Sequence, residues 1–127
     1  MEELYSIGFD DQELIDIINC NPEIRHMDNN EINEFIKLFQ ALNFNDEEIK
    51  SIIYANPYAL NRSMDDIERL LLKFSLLGIS NFKDMFVNNP FMIDKDDYEV
   101  DEFIVNQELL GKDVDEILDD LSKGIID

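Results

Sequence analysis

Apolar residues recur along the chain with the spacing of short amphipathic helices. Leu14, Ile17 and Ile18 follow one another at i, i+3 and i+4, and the same spacing returns at Ile49. This spacing places the side chains on one stripe of an α-helix. Signals for β-strands are weak, because the chain has no Asn-Gly or Asp-Gly turn and its apolar runs do not alternate with a period of two. The pattern therefore predicts an all-α fold.

A second, longer apolar stripe follows each proline. The three stripes are Ile32, Phe35, Ile36, Phe39 and Leu42, then Ile67, Leu70, Leu71, Phe74 and Leu77, and a weaker one of Val100, Phe103, Ile104, Gln107 and Leu110. Asparagine precedes each proline, at Asn21, Asn56 and Asn89. Proline disfavours helical geometry in the residue before it, so each short helix is predicted to end at this asparagine. A 3₁₀ turn should follow and bury one apolar side chain, such as Ile24.

The Asn-Pro pairs lie 35 and 33 residues apart and mark an internal repeat. Sliding residues 8–42 onto 43–77 gives ten identities, mostly at apolar or punctuating positions. Repeats of this length are typical of stacked helix pairs, so the predicted fold class is a curved α-solenoid of helix-pair (helix-helix-3₁₀) repeats in a single domain, 1–127. The repeats are predicted at about 4–42, 43–77 and 78–110, followed by a half-repeat at 111–127.

Polar residues and glycines mark where the predicted helices begin and where one repeat passes to the next. Candidate N-caps, whose side chains can accept from free backbone N–H groups, are Asp10 or Asp11, Asn45 or Asp46, and Ser63. The positions predicted to take a left-handed conformation between repeats are Gly8, Gly78, Gly111 and Asn43.

The repeat resembles that of the mitochondrial transcription termination factor (mTERF) family. The residues that carry the resemblance are Ile7-Gly8-Phe9-Asp10-Asp11 through Asn21-Pro22, Leu42-Asn43-Phe44-Asn45-Asp46-Glu47-Glu48-Ile49 through Ser63, and Leu77-Gly78-Ile79-Ser80. The likeness extends roughly over residues 4–121. It implies a solenoid of helix-helix-3₁₀ units whose concave face, in the family, tracks duplex nucleic acid along a basic groove.

The charge of this chain favours a different ligand. It carries 30 acidic residues against 10 basic ones, for a formal net charge of -20. Half of this charge, -10, lies within residues 96–127. Affinity for phosphates comes largely from Lys and Arg displacing counterions, so direct binding to nucleic acid or to an anionic membrane is disfavoured. We expect the partner to be a basic protein.

The last quarter of the chain supplies the candidate contact residues. On the helix that begins near Asp113, the apolar Val114, Ile117, Leu118 and Leu121 share one face, and carboxylates lie on the other. The predicted partner-binding residues are Asp96, Asp97, Glu99, Asp101, Glu102, Asp113, Asp115, Glu116, Asp119 and Asp120.

Two interpretations of these acids remain open. They can form a solvated face that keeps the protein soluble. Alternatively, carboxylates held on rigid helices can stand in for phosphates and occupy the nucleic-acid groove of an enzyme. Inhibitors of restriction or CRISPR nucleases encoded by phages and mobile elements work in this way, and the chain resembles them in composition only. The alternative functions are an mTERF-like nucleic-acid-binding module and an adaptor that binds a neutral helix through Tyr54, Tyr58 and Phe91.

No residue pattern favours catalysis, a metal or a cofactor. His26 is the only histidine and Cys20 the only cysteine, and the simplest expectation is a polar turn residue and a buried thiol. The stretch 94–105 resembles a calcium loop only briefly, because Glu99 and Val105 replace the required glycine and glutamate. Without a cysteine pair or a signal-like N-terminus, we predict a cytoplasmic location. We further predict that the chain is not an enzyme and that it is a monomer or a homodimer.

Overall fold

The computed structural model describes residues 1–126. These residues form α-helices and 3₁₀ turns, and none of them lies in a strand. The helices are α1 (Glu2–Ser6), α2 (Asp11–Cys20), α3 (Asn29–Ala41), α4 (Asp46–Ala55), α5 (Met64–Leu76), α6 (Phe82–Asn88), α7 (Asp97–Leu109) and α8 (Val114–Ser122). The 3₁₀ turns are Pro22–His26, Pro57–Asn61 and Pro90–Asp94. The prediction of an all-α fold is confirmed.

The order of short helix, 3₁₀ turn and long helix occurs three times, and this confirms the predicted helix-helix-3₁₀ repeats. The long helices α3, α5 and α7 each contain 13 residues. Helix α8 begins the half-repeat. Helix α1 was not predicted, because five residues are too few to show a helical period, yet its Leu4 is fully buried.

The predicted N-cap residues lie at the starts of α2, α4 and α5. The side chains of Asp10 and Asn45 each accept a hydrogen bond from the backbone N–H of the glutamate three residues later. The side chain of that glutamate accepts in turn from the backbone N–H of the cap residue, which is the capping-box arrangement. The Ser63 hydroxyl accepts from the Asp66 N–H at 3.1 Å. At the helix ends, Asn43 takes a left-handed φ of 69° in the place that glycine fills in the other repeats, as predicted.

Each 3₁₀ turn buries the apolar side chain that the sequence predicts, and the second and third turns bury others beside it. Ile24 and Ile93 have no exposed surface, and Leu60 is 4% exposed. One member of the predicted stripes differs. Leu110 lies just beyond the end of α7 and is 78% exposed, because the chain has already left the helical face that packs inward. The prediction of an inward Leu110 is wrong.

The helices group into two compact units, residues 1–62 and 63–127. In the first unit, the ring of Phe39 contacts those of Phe35 and Phe44, with ring centroids 4.7 and 5.0 Å apart. In the second unit, Phe74 and Phe86 are fully buried. The boundary falls inside the second sequence repeat, just before α5. The single-domain assignment stays a prediction.

The asparagines of the Asn-Pro pairs do more than end a helix. Asn21 is fully buried, and its Nδ2 donates to the carbonyl oxygen of Pro57 at 3.2 Å and to Oδ1 of Asn61 at 3.1 Å. In the second unit, Asn89 Nδ2 donates to the carbonyl oxygen of Gly124 at 2.8 Å. Each amide therefore bonds its own repeat to the backbone of the next one along the chain.

Two tyrosines join the first two repeats. The hydroxyl of Tyr54 donates to Asp16 Oδ2 at 2.8 Å, and that of Tyr58 donates to the carbonyl oxygen of Cys20 at 3.0 Å. These bonds confirm packing between repeats as the first role expected for Tyr54 and Tyr58. In contrast, Phe91 is 55% exposed.

Candidate functional site

The predicted contact residues all lie in the second unit, on α7, on α8 and at their N-termini. Asp96 is the N-cap of α7 and forms a capping box with Glu99. Asp113 is the N-cap of α8. Helices α7 and α8 pack against each other, so the structure brings the two acidic segments of the sequence onto neighbouring helices.

Several of these carboxylates are held by cations of the same unit. Asp101 Oδ2 lies 3.0 Å from Lys73 Nζ, and Asp120 Oδ2 lies 3.1 Å from Lys112 Nζ. A further pair joins Lys123 Nζ and Asp119 Oδ2 at 2.8 Å, one turn apart on α8. Glu99 is 3.8 Å from Lys95 and also serves the cap of α7. These side chains have structural partners and are less available to a binding partner.

Asp97 is half-buried, and its Oδ1 accepts from the backbone N–H of Tyr98 at 2.9 Å. The other four carboxylates of the set point to solvent more freely. Glu102, Asp113, Asp115 and Glu116 are exposed and take part in none of these ion pairs. We call these four residues the open carboxylates. Asp115 and Glu116 lie in the first turn of α8, where the helix dipole stabilises negative charge. The open carboxylates form the part of the predicted site that is best placed to meet a cationic partner.

The side chain of Tyr98 lies in the negative potential of the carboxylates at the start of α7. The charge of Asp96, followed by that of Glu99, raises the pKa of Tyr98 above its ordinary value, because the neighbouring carboxylates oppose a phenolate. A raised folded-state pKa means that the contribution of Tyr98 to stability is complete below the pKa of unfolded tyrosine. It is lost as the pH rises through the folded-state value.

Removing the nearest charge should shift this titration. We expect Asp96→Asn to lower the pKa of Tyr98 toward its ordinary value, since asparagine keeps the capping geometry and removes the charge. A titration followed by the NMR signal of Tyr98 Cζ measures the shift. Asp115→Asn is the matched control and should change it much less. An unchanged pKa in the Asp96 variant would contradict this account of the potential.

The cationic side chains are largely occupied within the chain. At least six of the ten lie within 4.0 Å of a carboxylate oxygen: Lys50, Arg69, Lys73, Lys95, Lys112 and Lys123. Lys50 contacts Glu13 at 2.9 Å, and this bond lowers the pKa of Glu13. A phosphate backbone that approached these side chains would have to displace a carboxylate from each of them.

The residues considered for catalysis do not form a site. Cys20 is exposed, so the expectation of a buried thiol is wrong: its position at the last residue of α2 leaves the side chain on the solvent side. His26 is exposed at the end of the first 3₁₀ turn, as expected for a polar turn residue. Within residues 1–126, no group of His, Cys, Asp and Glu could hold a metal ion. In the same range, no helix is long and apolar enough to cross a membrane.

The fold and this surface define a helical-repeat protein with the character of a binding module. The chain belongs to the mTERF family, whose family model matches residues 1–116. This match confirms the resemblance carried by the Asn-Pro repeats, and it supports a helical module of the nucleic-acid-binding type. Comparisons with curated proteins and with solved structures give no match.

Proposed function

We propose that this mTERF-family chain binds a basic surface of another protein through the acidic α7–α8 segment and occupies the place of a nucleic acid there. The partner is a nucleic-acid-binding enzyme, such as a restriction or CRISPR nuclease, which the chain inhibits. The module itself has no catalytic role and acts in the cytoplasm as a monomer or homodimer.

This proposal rests on a difference between the basic and the acidic side chains. At least six of the ten cations are paired within the chain, whereas the open carboxylates face solvent. A protein that bound phosphates would need free Lys and Arg in a contiguous groove. A protein that replaces phosphates needs free anions on a rigid support, and α7 and α8 supply it.

Electrostatics also fixes how such a complex should behave. With a net charge of -20, attraction to a cationic groove speeds association and strengthens binding at low salt. The Debye length is about 10 Å at 0.1 M salt and about 3 Å at 1 M, so added salt should weaken the complex. Binding that does not respond to salt would indicate an apolar interface.

Charge reversal of the open carboxylates is the direct test. We expect Glu102→Lys, Asp113→Lys, Asp115→Lys and Glu116→Lys together to abolish inhibition of DNA cleavage by the target nuclease. Circular dichroism should remain helical, since all four side chains are exposed. The assay is cleavage of duplex DNA by a panel of restriction and CRISPR nucleases, with and without the chain.

A control variant with the same net charge distinguishes the effect of the open carboxylates from the effect of total charge. Glu2, Glu31, Glu34 and Glu47 are exposed in the first unit, and their reversal to lysine changes the net charge by the same amount. This variant should inhibit like the wild type. Equal loss of inhibition in both variants would show that total charge alone matters, and retained inhibition in the first variant would overturn the proposed site.

Family membership favours a second function, in which the chain binds nucleic acid directly. The two candidates predict opposite results in a mobility-shift assay at about 50 mM salt, where electrostatic contacts are least screened. The proposed mimic should not retard duplex DNA or RNA at micromolar concentration. Retardation that is lost at higher salt would overturn the mimic and establish direct binding.

A further inference from the structure

Four aliphatic side chains on the long helices of the second unit face solvent. Leu72 and Leu76 on α5 are 59% and 75% exposed, and Val105 and Leu109 on α7 are 54% and 80% exposed. We call these four residues the α5–α7 face. Within each pair the residues are four apart, so their side chains are neighbours on the helix surface.

The two pairs belong to one surface. Helices α5 and α7 pack against each other, and the ion pair of Lys73 with Asp101 links them at 3.0 Å. The pairs occupy equivalent positions in the two 13-residue helices, on the side opposite to the buried Phe74 and Phe103. Two neighbouring helices therefore each carry an exposed aliphatic pair at the same position of the repeat, which suits an elongated apolar ligand.

The repeat itself does not require aliphatic residues at these positions. The equivalent residues of α3 are Lys37 and Ala41, which are also exposed. A soluble helix normally carries polar residues on its solvent face, and contiguous exposed aliphatics mark an interaction surface. The α5–α7 face is thus a feature of this part of the chain and not of the fold.

Carboxylates border the α5–α7 face on both helices. By helical geometry, Asp65 and Glu68 precede the leucines on the same stripe of α5, and Asp101, Glu102 and Glu108 flank the pair on α7. The two cations beside the leucines, Arg69 and Lys73, are paired with Asp66 and Asp101. An apolar strip between acidic borders is complementary to an amphipathic helix whose apolar stripe is bordered by Lys and Arg. A second copy of this chain would bring the same acidic borders together, at a net charge of -20 per chain.

We infer that the α5–α7 face binds an amphipathic, Lys- and Arg-bearing helix of the partner protein. This inference rests on the proposed function, because it assumes a basic partner. It adds that the bound segment of the partner is a helix and that part of the interface is apolar. The apolar contacts would fix the position of the partner helix, and the carboxylates would select its charge.

Fluorescence anisotropy with model peptides tests the inference. The first probe is a Leu/Lys peptide of about 18 residues with its leucines on one helical stripe, so that as a helix it is longer than the 13-residue α5. The second probe is a scrambled isomer of equal charge. We expect the amphipathic peptide to bind at least about tenfold more tightly than its isomer. The variant Leu72→Gln with Leu109→Gln should remove this preference. A control, Ile15→Gln with Ile125→Gln, replaces aliphatics that are 50% and 49% exposed elsewhere and should keep it.

The other outcomes separate this inference from the proposed function. Equal binding of both peptides would overturn the α5–α7 face and leave acidic docking in place. Failure of both cationic peptides to bind would overturn the face and also count against acidic docking. A wild-type dimer in sedimentation analysis that the leucine variant converts to a monomer would show that a second copy covers the face, and would overturn the helix-binding role.

Discussion

Asn21→Asp should destabilise the chain by about 3 kcal/mol at pH 7, although it replaces only an amide by a carboxylate of the same shape. Asn21 is fully buried, and its Nδ2 donates to two acceptors, the carbonyl oxygen of Pro57 and Oδ1 of Asn61. A carboxylate would face both acceptors without a proton to donate. Rotation of the Asn61 amide could supply one donor, but it would give up the bond that this amide makes to Glu23 at 3.1 Å.

The pH dependence of this penalty has a definite sign. Burial among acceptors should raise the pKa of the new aspartate above the value of about 3.9 in the unfolded chain. The penalty should therefore be small near the unfolded pKa, where the acid is protonated and can donate to Pro57. It should grow as the pH rises and reach its full size above the folded-state pKa.

Urea unfolding followed by circular dichroism from pH 5 to pH 8 measures this difference between variant and wild type. Asn106→Asp is the control, because it makes the same chemical change at an exposed position of α7 and should cost less than about 1 kcal/mol. A difference for Asn21→Asp that matches the control, or that does not vary with pH, would show that the bonds of Asn21 do not hold the two repeats together.

Gly124→Ala should destabilise the second unit by about 2 to 3 kcal/mol. Gly124 has a φ of 87°, which side-chain-bearing residues rarely adopt. An added Cβ would also lie 2.8 Å from the carbonyl oxygen of Met85 and 2.9 Å from Cβ of Asn89. Neither atom is the end of a flexible side chain, so the backbone would have to move and would weaken the 2.8 Å bond from Asn89 to Gly124.

Gly111→Ala is a matched control within the same unit. Gly111 has a similar φ of 90°, but an added Cβ would meet no atom within 4 Å. This variant should show the backbone cost alone, about 1 kcal/mol. Urea unfolding of both variants gives the comparison, and the extra loss in Gly124→Ala measures the close approach of α6 to the end of α8. Equal losses would show that the contact relaxes without cost.

The local structure could be predicted from particular residues because the forces involved are local. Proline at position 22 restricts Asn21, and Asp10 caps a helix whose N–H groups lie within three residues of it. Asn43 adopts a left-handed conformation through its own backbone preferences. Such interactions span only a few residues, so they can be recognised in a single sequence.

The acidic site was predictable only in part. Composition and helical spacing place the carboxylates on α7 and α8, but they do not show which ones are engaged. Asp101 is paired with Lys73, which is 28 residues away, whereas Glu102 beside it is in no such pair. The direction of each side chain depends on how α5 and α7 pack, and this is a property of the folded chain. The four exposed aliphatics of the α5–α7 face were missed for the same reason.

The sequence by itself determined the helices, their ends, the repeat and the sign of the surface charge, because spacing, capping and composition act within a few residues or over the whole chain. Only the tertiary structure decided that Asn21 and Asn89 join successive repeats, that Gly124 meets Met85, and that Cys20 and Leu110 face solvent. These features depend on contacts between residues far apart in sequence, whose distances are set when the helices pack together.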